Sequence, residues 1–203
     1  FLSLYANAAG TTGRERTDQT DVLDRYLLAE LGALVSSVTG HLDAYDLFSA
    51  CHAITGFLDT LSNWYIRRSR DRFWAGDDDA IDTLHTVMTV LCRLAAPLLP
   101  LVTENVYRGL TGERSVHLTT WPTTERLGAD DSLTVSMDLA RDVCSATLSL
   151  RKAHQRRVRL PLATLTIATC NQLEKLHADW HAQQNAHNFS HAVISSAIAR
   201  MMS

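Results

Sequence analysis

The chain has 203 residues, 46% of them hydrophobic and 20% charged, with a formal net charge of -3. This length and composition allow one large or two small globular domains with a hydrophobic core. The slightly negative net charge gives no overall electrostatic indication of nucleic-acid binding. The four cysteines form no C-x-x-C pair, which argues against a zinc knuckle or a secreted disulfide framework. No apolar run approaches the roughly 18–20 residues of a membrane span.

The first two predicted helices fill residues 18 to 65. Asp18 or Asp21 caps the first, which carries leucine and valine at three- and four-residue steps. Residues 40–43, from Gly40 onward, interrupt this pattern, and Asp43 begins a second helix whose apolar stripe ends at Tyr65. The second helix should run for about 26 residues, or near 40 Å.

Two shorter helices follow. Asp77–Asp79 place negative charge where a third helix begins, which favours its dipole. Pro97 and Pro100 stop or kink that helix. A fourth helix is predicted over Leu101–Leu110, with Gly112 as its C-terminal signal.

In the last third of the chain, extended patterns alternate with helical ones. Residues 116–122 read as extended, and Asp130 precedes a fifth helix that continues through Leu148. The pattern LATLTIAT after Pro161 predicts a strand, and residues 171–184 again have a helical pattern. We therefore predict a mainly α protein: a helical bundle with a small partial α/β segment at the C-terminus.

One segment concentrates arginine and aromatic residues. It contains Arg67, Arg68, Arg70 and Arg72, flanked by Trp64, Tyr65, Phe73 and Trp74. Guanidinium groups hold phosphate in a bidentate fork, and aromatic faces stack on unpaired bases. This combination indicates a surface for a folded RNA with exposed loop bases. The alternative is a salt-bridged helix end in which Arg67 pairs with Asp71 and the rings lie in the core.

A second basic window ends the fifth predicted helix. It contains Arg151, Lys152, Arg156, Arg157 and Arg159, so the two windows hold nine of the 19 Lys and Arg residues. Cations at a helix C-terminus also complement the helix dipole, and that interpretation needs no ligand.

Catalytic and metal-binding patterns are missing from the sequence. There is no phosphate-binding G-x-x-x-x-G-K-[ST] loop and no G-x-S-x-G nucleophile elbow. His177 and His181 are one helical turn apart, as are His187 and His191, but no H-E-x-x-H pattern or third ligand accompanies them. We predict no catalytic residue and no metal site.

The order of several segments resembles the region after the catalytic domain in class I aminoacyl-tRNA synthetases, most closely the isoleucyl group. The matching segments are FLSLYANAAG, LDRYLLAEL, NWYIRRSRDRFW, APLLPLVTENVYRGL, SVHLTTWP and LSLRKAHQRRVRLPLATLTI, which together reach residue 167. In this comparison the first segment looks like a strand and loop. The helical bundle is common to the valyl, leucyl and methionyl groups, and SVHLTTWP with the R-K-x-x-x-x-R-x-R-x-P-L pattern favours the isoleucyl one.

The resemblance implies a fragment of a longer enzyme, with a linker at 1–17, an anticodon-binding bundle at 18–157 and a partial α/β unit at 158–203. It implies isoleucine tRNA as partner, bound by both basic windows together with Phe73 and Trp74. Trp64 and Arg25 would contact the absent catalytic domain, which alone would use ATP and Mg²⁺. The fragment itself would be inactive, monomeric and cytoplasmic. A helical protein-interaction module without an RNA role is the alternative from a different class.

Overall fold

The computed structural model describes residues 2–125, 127–128 and 130–157, and it divides the chain into two compact units, 1–134 and 135–203. All regular secondary structure within the described ranges is helical, which confirms the predicted mainly α fold class. The predicted strand after Pro161 lies outside the described residues. The α-helices are α1 (Leu2–Ala9), α2 (Val22–Asp43), α3 (Leu47–Asp59), α4 (Arg70–Ala75), α5 (Asp78–Ala95), α6 (Pro100–Thr111) and α7 (Asp131–Ala153), with a π-helix at Thr60–Ile66 and a 3-10 turn at Val116–Leu118.

The core of the first unit lies between α2, α3 and α5. Helix α2 packs along α3, to which a three-residue turn joins it, and also along α5. Leu27 and Leu31 of α2 and Leu84 and Val87 of α5 are almost completely buried. Burying each such side chain stabilises the fold by about 1.5–3 kcal/mol. Most of α5 is buried, so it is the central helix of this unit.

Capping side chains define the predicted ends of several helices. The carboxylate of Asp21 accepts from the Leu23 N–H at the start of α2, and that of Asp77 accepts from two N–H groups at the start of α5. Gly112 closes α6 in the left-handed conformation, with φ of 73°. The helix ends predicted from these three residues are confirmed.

The turn between α2 and α3 differs from the prediction. Gly40 does not interrupt α2, which continues to Asp43, and Asp46 caps α3 by accepting from the Ser49 N–H at 3.0 Å. A glycine costs a helix only about 1 kcal/mol, and the packing of α2 along α3 overrides that cost. Tyr45 reverses the chain with a φ of 58°.

Pro100 also has a different role from the predicted one. It occupies the first turn of α6, where its missing N–H costs nothing and its fixed φ suits the helix. Helix α5 ends before it, at Ala95. The proline therefore opens α6 and does not terminate α5.

Leu2–Ala9 form a helix, α1, where the sequence predicted a strand and loop for the first segment. The prediction was wrong because Tyr5 and Ala6 are buried against the bundle, at 7% and 5% exposure, and tertiary packing decides the conformation of so short an apolar segment. The following residues cross α5: the Arg14 N–H donates to Asp82 and the Arg16 N–H to Thr86, each at 2.8 Å. The domain boundaries at residues 17 and 157 stay predictions.

Helix α7 begins beside Asp130, as predicted, because the Leu133 N–H donates to the Asp130 carboxylate at 3.1 Å. None of its residues is buried. Within the described part of the chain, no helix combines the length and the apolar character that crossing a membrane requires.

Candidate nucleic-acid interface

The arginine segment, residues 63–74, contains the end of a π-helix, a bend and most of a short α-helix. Helix α3 widens into the π-helix Thr60–Ile66, the chain bends at buried Ser69, and α4 follows with Gly76 closing it at a φ of 72°. Short π-helical stretches within helices are frequent at functional sites. The single helix predicted to end near Tyr65 is therefore uninterrupted along the chain, but its hydrogen-bonding pattern changes at Thr60.

The inner side of the arginine segment belongs to the core. Tyr65 and Phe73 are 0% and 1% exposed, and their rings meet edge to face with centroids 6.2 Å apart. The Tyr65 hydroxyl donates to Asp24 at 2.6 Å. The prediction that Tyr65 is a core residue is confirmed. Phe73, which the sequence placed among the tRNA-binding residues, offers no face to a ligand in this structure, because the apolar core encloses its ring.

Arg72 is also turned inward, although the sequence placed it on the RNA surface. Its Nη2 lies 2.7 Å from the Asp24 carboxylate, its Nε 2.7 Å from Asp77, and its Nη1 3.2 Å from Asp21. Asp24 is 0% exposed. Three carboxylates thus surround this guanidinium, so its charge is compensated within the protein and its fork is occupied.

Burial and hydrogen bonding oppose each other at this cluster. Burial raises the pKa of the Asp24 carboxyl, while Arg72 and the Tyr65 hydroxyl act in the lowering direction. The pKa of Asp77 is lowered: burial opposes the shift, but the hydrogen bond and charge of Arg72 together with the backbone N–H donors of Ala80 and Asp79 outweigh it. The pKa of Arg72 is raised, since its bonds to Asp24 and Asp77 outweigh burial. Arg72 and Asp77 therefore stay charged across the neutral range.

The outer side of the arginine segment presents the remaining groups. Arg67 and Arg70 are exposed, and the indole of Trp74 is 69% exposed. The Trp74 ring meets Tyr5 edge to face, at 5.2 Å between centroids and 84° between planes. No ion pair joins Arg67 to Asp71 among the described residues. The alternative interpretation is met at Arg72, which pairs with carboxylates, and by the rings of Tyr65 and Phe73, which lie in the core.

Arg68 and Trp64 form a unit of their own. The Arg68 Cζ lies 3.7 Å from the centroid of the Trp64 ring, a cation–π contact, and Trp64 is 8% exposed. The half-buried Arg68 side chain thus stacks on an indole that is itself almost completely buried. The predicted contact of Trp64 with a catalytic domain stays a prediction.

Arg25, predicted at the same domain interface, forms an ion pair with Asp130 within the first unit, at 2.5 Å. Its side chain is 42% exposed, so part of the guanidinium is accessible. An exposed ion pair of this kind contributes little stability, about 0–1 kcal/mol.

The second basic window lies in the second unit. Lys152, Arg156 and Arg157 are exposed, while Arg151 is half-buried and donates from Nη1 to the Arg157 carbonyl at 3.1 Å. This bond folds the basic residues back over the C-terminus of α7, where cations complement the helix dipole. Arg159 lies outside the described residues.

Sequence reasoning missed Asp21, Asp24 and Asp77 as partners of Arg72. Asp24 gave one usable signal, since it lies three and four residues before Leu27 and Leu28 and thus on the apolar face of α2. A carboxylate on a buried face needs a cation or several hydrogen-bond donors. That requirement pointed to an arginine elsewhere in the chain, but not to which one.

Metal ligands do not gather in the described part of the chain, where no group of three His, Cys, Asp or Glu residues could hold an ion. The paired histidines His177, His181, His187 and His191 lie outside the described residues. The absence of a metal site stays a prediction.

Comparison with known proteins gives a family match. The profile of the family described as the anticodon-binding domain of tRNA ligase matches residues 24–167. Isoleucine–tRNA ligase of Mycobacterium tuberculosis is 56% identical over 171 residues, or 84% of this chain. The enzymes of that name from Nocardia farcinica and Tropheryma whipplei are 56% and 46% identical over 83% and 82% of the chain. The chain spans about 16% of the length of each.

Proposed function

The chain belongs to the family of anticodon-binding domains of tRNA ligases, and from this premise we propose that it recognises the anticodon arm of isoleucine tRNA. The family match, which includes the whole arginine segment, is the observation that carries the proposal. The relatives named above support isoleucine tRNA as the cognate partner over a valine, leucine or methionine tRNA.

The exposed side of the arginine segment supplies the chemistry for this role. Anticodon-loop bases are unpaired and can stack on the open face of Trp74, at about 1–3 kcal/mol per base. The exposed Arg67 and Arg70 would hold phosphates, and Arg68 lies next to them in the segment, stacked on Trp64. Arg72 and Phe73 support the surface from inside and do not contact RNA.

The second basic window adds a phosphate-binding element in the proposed role. Arg151, Lys152, Arg156 and Arg157 carry four positive charges within seven residues, and Arg159 follows them in the sequence. Such charges neutralise the RNA backbone and set register without reading sequence. Contacts of this type make affinity fall steeply with salt.

The parent protein in this proposal is an isoleucine–tRNA ligase, which attaches isoleucine to its tRNA with ATP. The catalytic domain would bind ATP and Mg²⁺, and Trp64 and Arg25 would contact that domain. The 203-residue chain alone would catalyse no pyrophosphate exchange, since its sequence contains no H-I-G-H-like or K-M-S-K-S-like motif. We place the protein in the cytoplasm as a monomer.

A salt series of tRNA binding tests the proposal. Isoleucine tRNA is compared with the same tRNA carrying a changed anticodon, between about 50 and 200 mM salt. Tighter binding to the cognate anticodon, weakening steeply with salt, is the expected result. Equal binding of both tRNAs would contradict anticodon recognition, and salt-insensitive binding of proteins without tRNA affinity would favour the interaction module.

Two variants locate the surface. Trp74→Ala should weaken binding by about tenfold or more, the equivalent of one lost stacking contact. Phe48→Ala is the matched control, because Phe48 is an aromatic residue with 82% exposure outside the arginine segment. If both substitutions had the same effect, the assignment of the stacking residue would be wrong.

A further inference from the structure

Helix α4 is too short to hold its own orientation. It has six residues, whereas isolated helices below about 12–15 residues are marginal in water. Two anchors compensate for this: Phe73 is inserted in the core, and Gly76 ends the helix in the left-handed conformation. The direction in which the remaining side chains of α4 point therefore depends on contacts with other helices.

Two faces of α4 have opposite roles. Arg70 and Trp74 are four residues apart, so they share one face of the helix, and both are exposed. Arg72 lies midway between them in sequence, about 200° around the helix axis from either, and so on the opposite face. The groups proposed to meet RNA and the group bound by carboxylates thus face in opposite directions.

The contacts of Arg72 hold the inward face of α4 through three guanidinium nitrogens, each of which has a carboxylate partner. Its Nη1 and Nη2 donate to the two oxygens of Asp24, at 3.0 and 2.7 Å, in a bidentate fork, while Nε donates to Asp77. Asp24 comes from α2, and Asp77 caps α5. One guanidinium therefore joins α4 to two other helices, and the planar fork restricts the rotation of α4 between them.

We propose that Arg72 and Asp24 are positioning residues, whose bidentate pair orients α4 so that Arg70 and Trp74 face the RNA. The inference rests on the proposed function, since it explains how the surface that binds tRNA is held. Its content goes beyond that function, because it assigns the arginine between two contact residues to a role without any RNA contact.

Fluorine NMR of the 203-residue chain labelled with 5-fluorotryptophan tests the orientation of α4 without RNA. The chain has four tryptophans, and the Trp74 resonance is identified by its loss in Trp74→Phe. A Tyr5→Leu variant gives the shift of Trp74 when its ring contact with Tyr5 is lost. Asp24→Asn, which keeps the size of the side chain, and Arg72→Lys, which keeps the charge, should both move the Trp74 resonance toward that position. The Trp121 resonance should stay in place, which excludes general unfolding as the cause.

The salt dependence of tRNA binding separates positioning from contact. Removing a phosphate contact lowers the slope of log affinity against log salt by about 0.7–0.9. Arg70→Ala should show that decrease. Arg72→Lys and Asp24→Asn should weaken binding several-fold with the slope unchanged, and Arg114→Ala, an exposed arginine outside the segment, should change neither.

Two results would overturn the inference. One is a Trp74 resonance that keeps its wild-type position in both Asp24→Asn and Arg72→Lys. The other is a decrease in salt slope for an Arg72→Gln variant as large as for Arg70→Ala, since that would make Arg72 a phosphate ligand. If the wild-type chain bound no tRNA, the proposed function would fail, and the fluorine measurement would still decide whether the pair orients α4.

Discussion

Replacing Tyr45 by glycine should stabilise the protein, although it removes a large side chain. Tyr45 reverses the chain between α2 and α3 with a φ of 58°, a left-handed conformation that residues other than glycine seldom adopt. Its backbone is fixed there, because its N–H donates to the Leu42 carbonyl at 3.0 Å and the next N–H, of Asp46, donates to His41 at 2.8 Å. The side chain is 91% exposed, so it contributes little packing to offset the strain.

The expected gain follows from two opposing terms. Relief of the left-handed conformation is worth about 1–2 kcal/mol. The greater freedom of glycine in the unfolded chain costs about 0.4–1 kcal/mol. A net stabilisation of about 0.5–1 kcal/mol remains, which corresponds to a rise in Tm of roughly 1–4 °C for a protein of this size.

Urea unfolding and calorimetry of three proteins would measure this effect. Tyr45→Ala is the matched control, since alanine removes the ring but keeps the strained backbone and should leave stability within about 0.5 kcal/mol of the wild type. The difference between the glycine and alanine variants then isolates the backbone term. A glycine variant no more stable than the alanine variant would refute the reasoning, because the conformation of Tyr45 would then carry no strain.

Three further predictions concern buried and charged groups. Asp24→Ala should destabilise the first unit by about 3–5 kcal/mol in urea unfolding, because it leaves Arg72 without its buried partner, and a loss below about 1 kcal/mol would contradict the cluster described above. Glu104 accepts from the Val116 N–H and the Ser115 hydroxyl, and although partial desolvation opposes the shift these bonds lower its pKa. The ionised Glu104 carboxylate therefore stabilises the fold above its unfolded pKa, and this contribution is lost as the pH falls. Glu104→Gln should accordingly reduce the difference in the free energy of unfolding between pH 7 and pH 3. An unchanged difference would contradict the lowered pKa of Glu104. Burial raises the pKa of the Cys92 thiol to about 11, so iodoacetamide at pH 8 should alkylate exposed Cys51 well before Cys92, as peptide mass spectrometry would show, and the reverse order would contradict the burial of Cys92.

The sequence by itself determined the features that depend on neighbouring residues. The helix ends at Asp21, Asp77 and Gly112 follow from capping, in which a side chain or a left-handed residue satisfies backbone groups within a few positions. Apolar residues at three- and four-residue steps identified the helices of the bundle. The order of several motifs indicated the family, since each motif is a local pattern that survives in the sequence.

Only the tertiary structure decided which arginine of the segment is exposed and which is bound by carboxylates. Arg70 and Arg72 are two residues apart and look alike in the sequence, but Asp24, 48 residues before Arg72, binds one and not the other. The same holds for Phe73 and Trp74, which are adjacent but 1% and 69% exposed. Leu2–Ala9 form a helix stabilised by contacts of Tyr5 with α4, more than 60 positions away. These outcomes depend on which helices meet, and the free energies of such long-range contacts are set by the whole packed bundle and not by any window of the sequence.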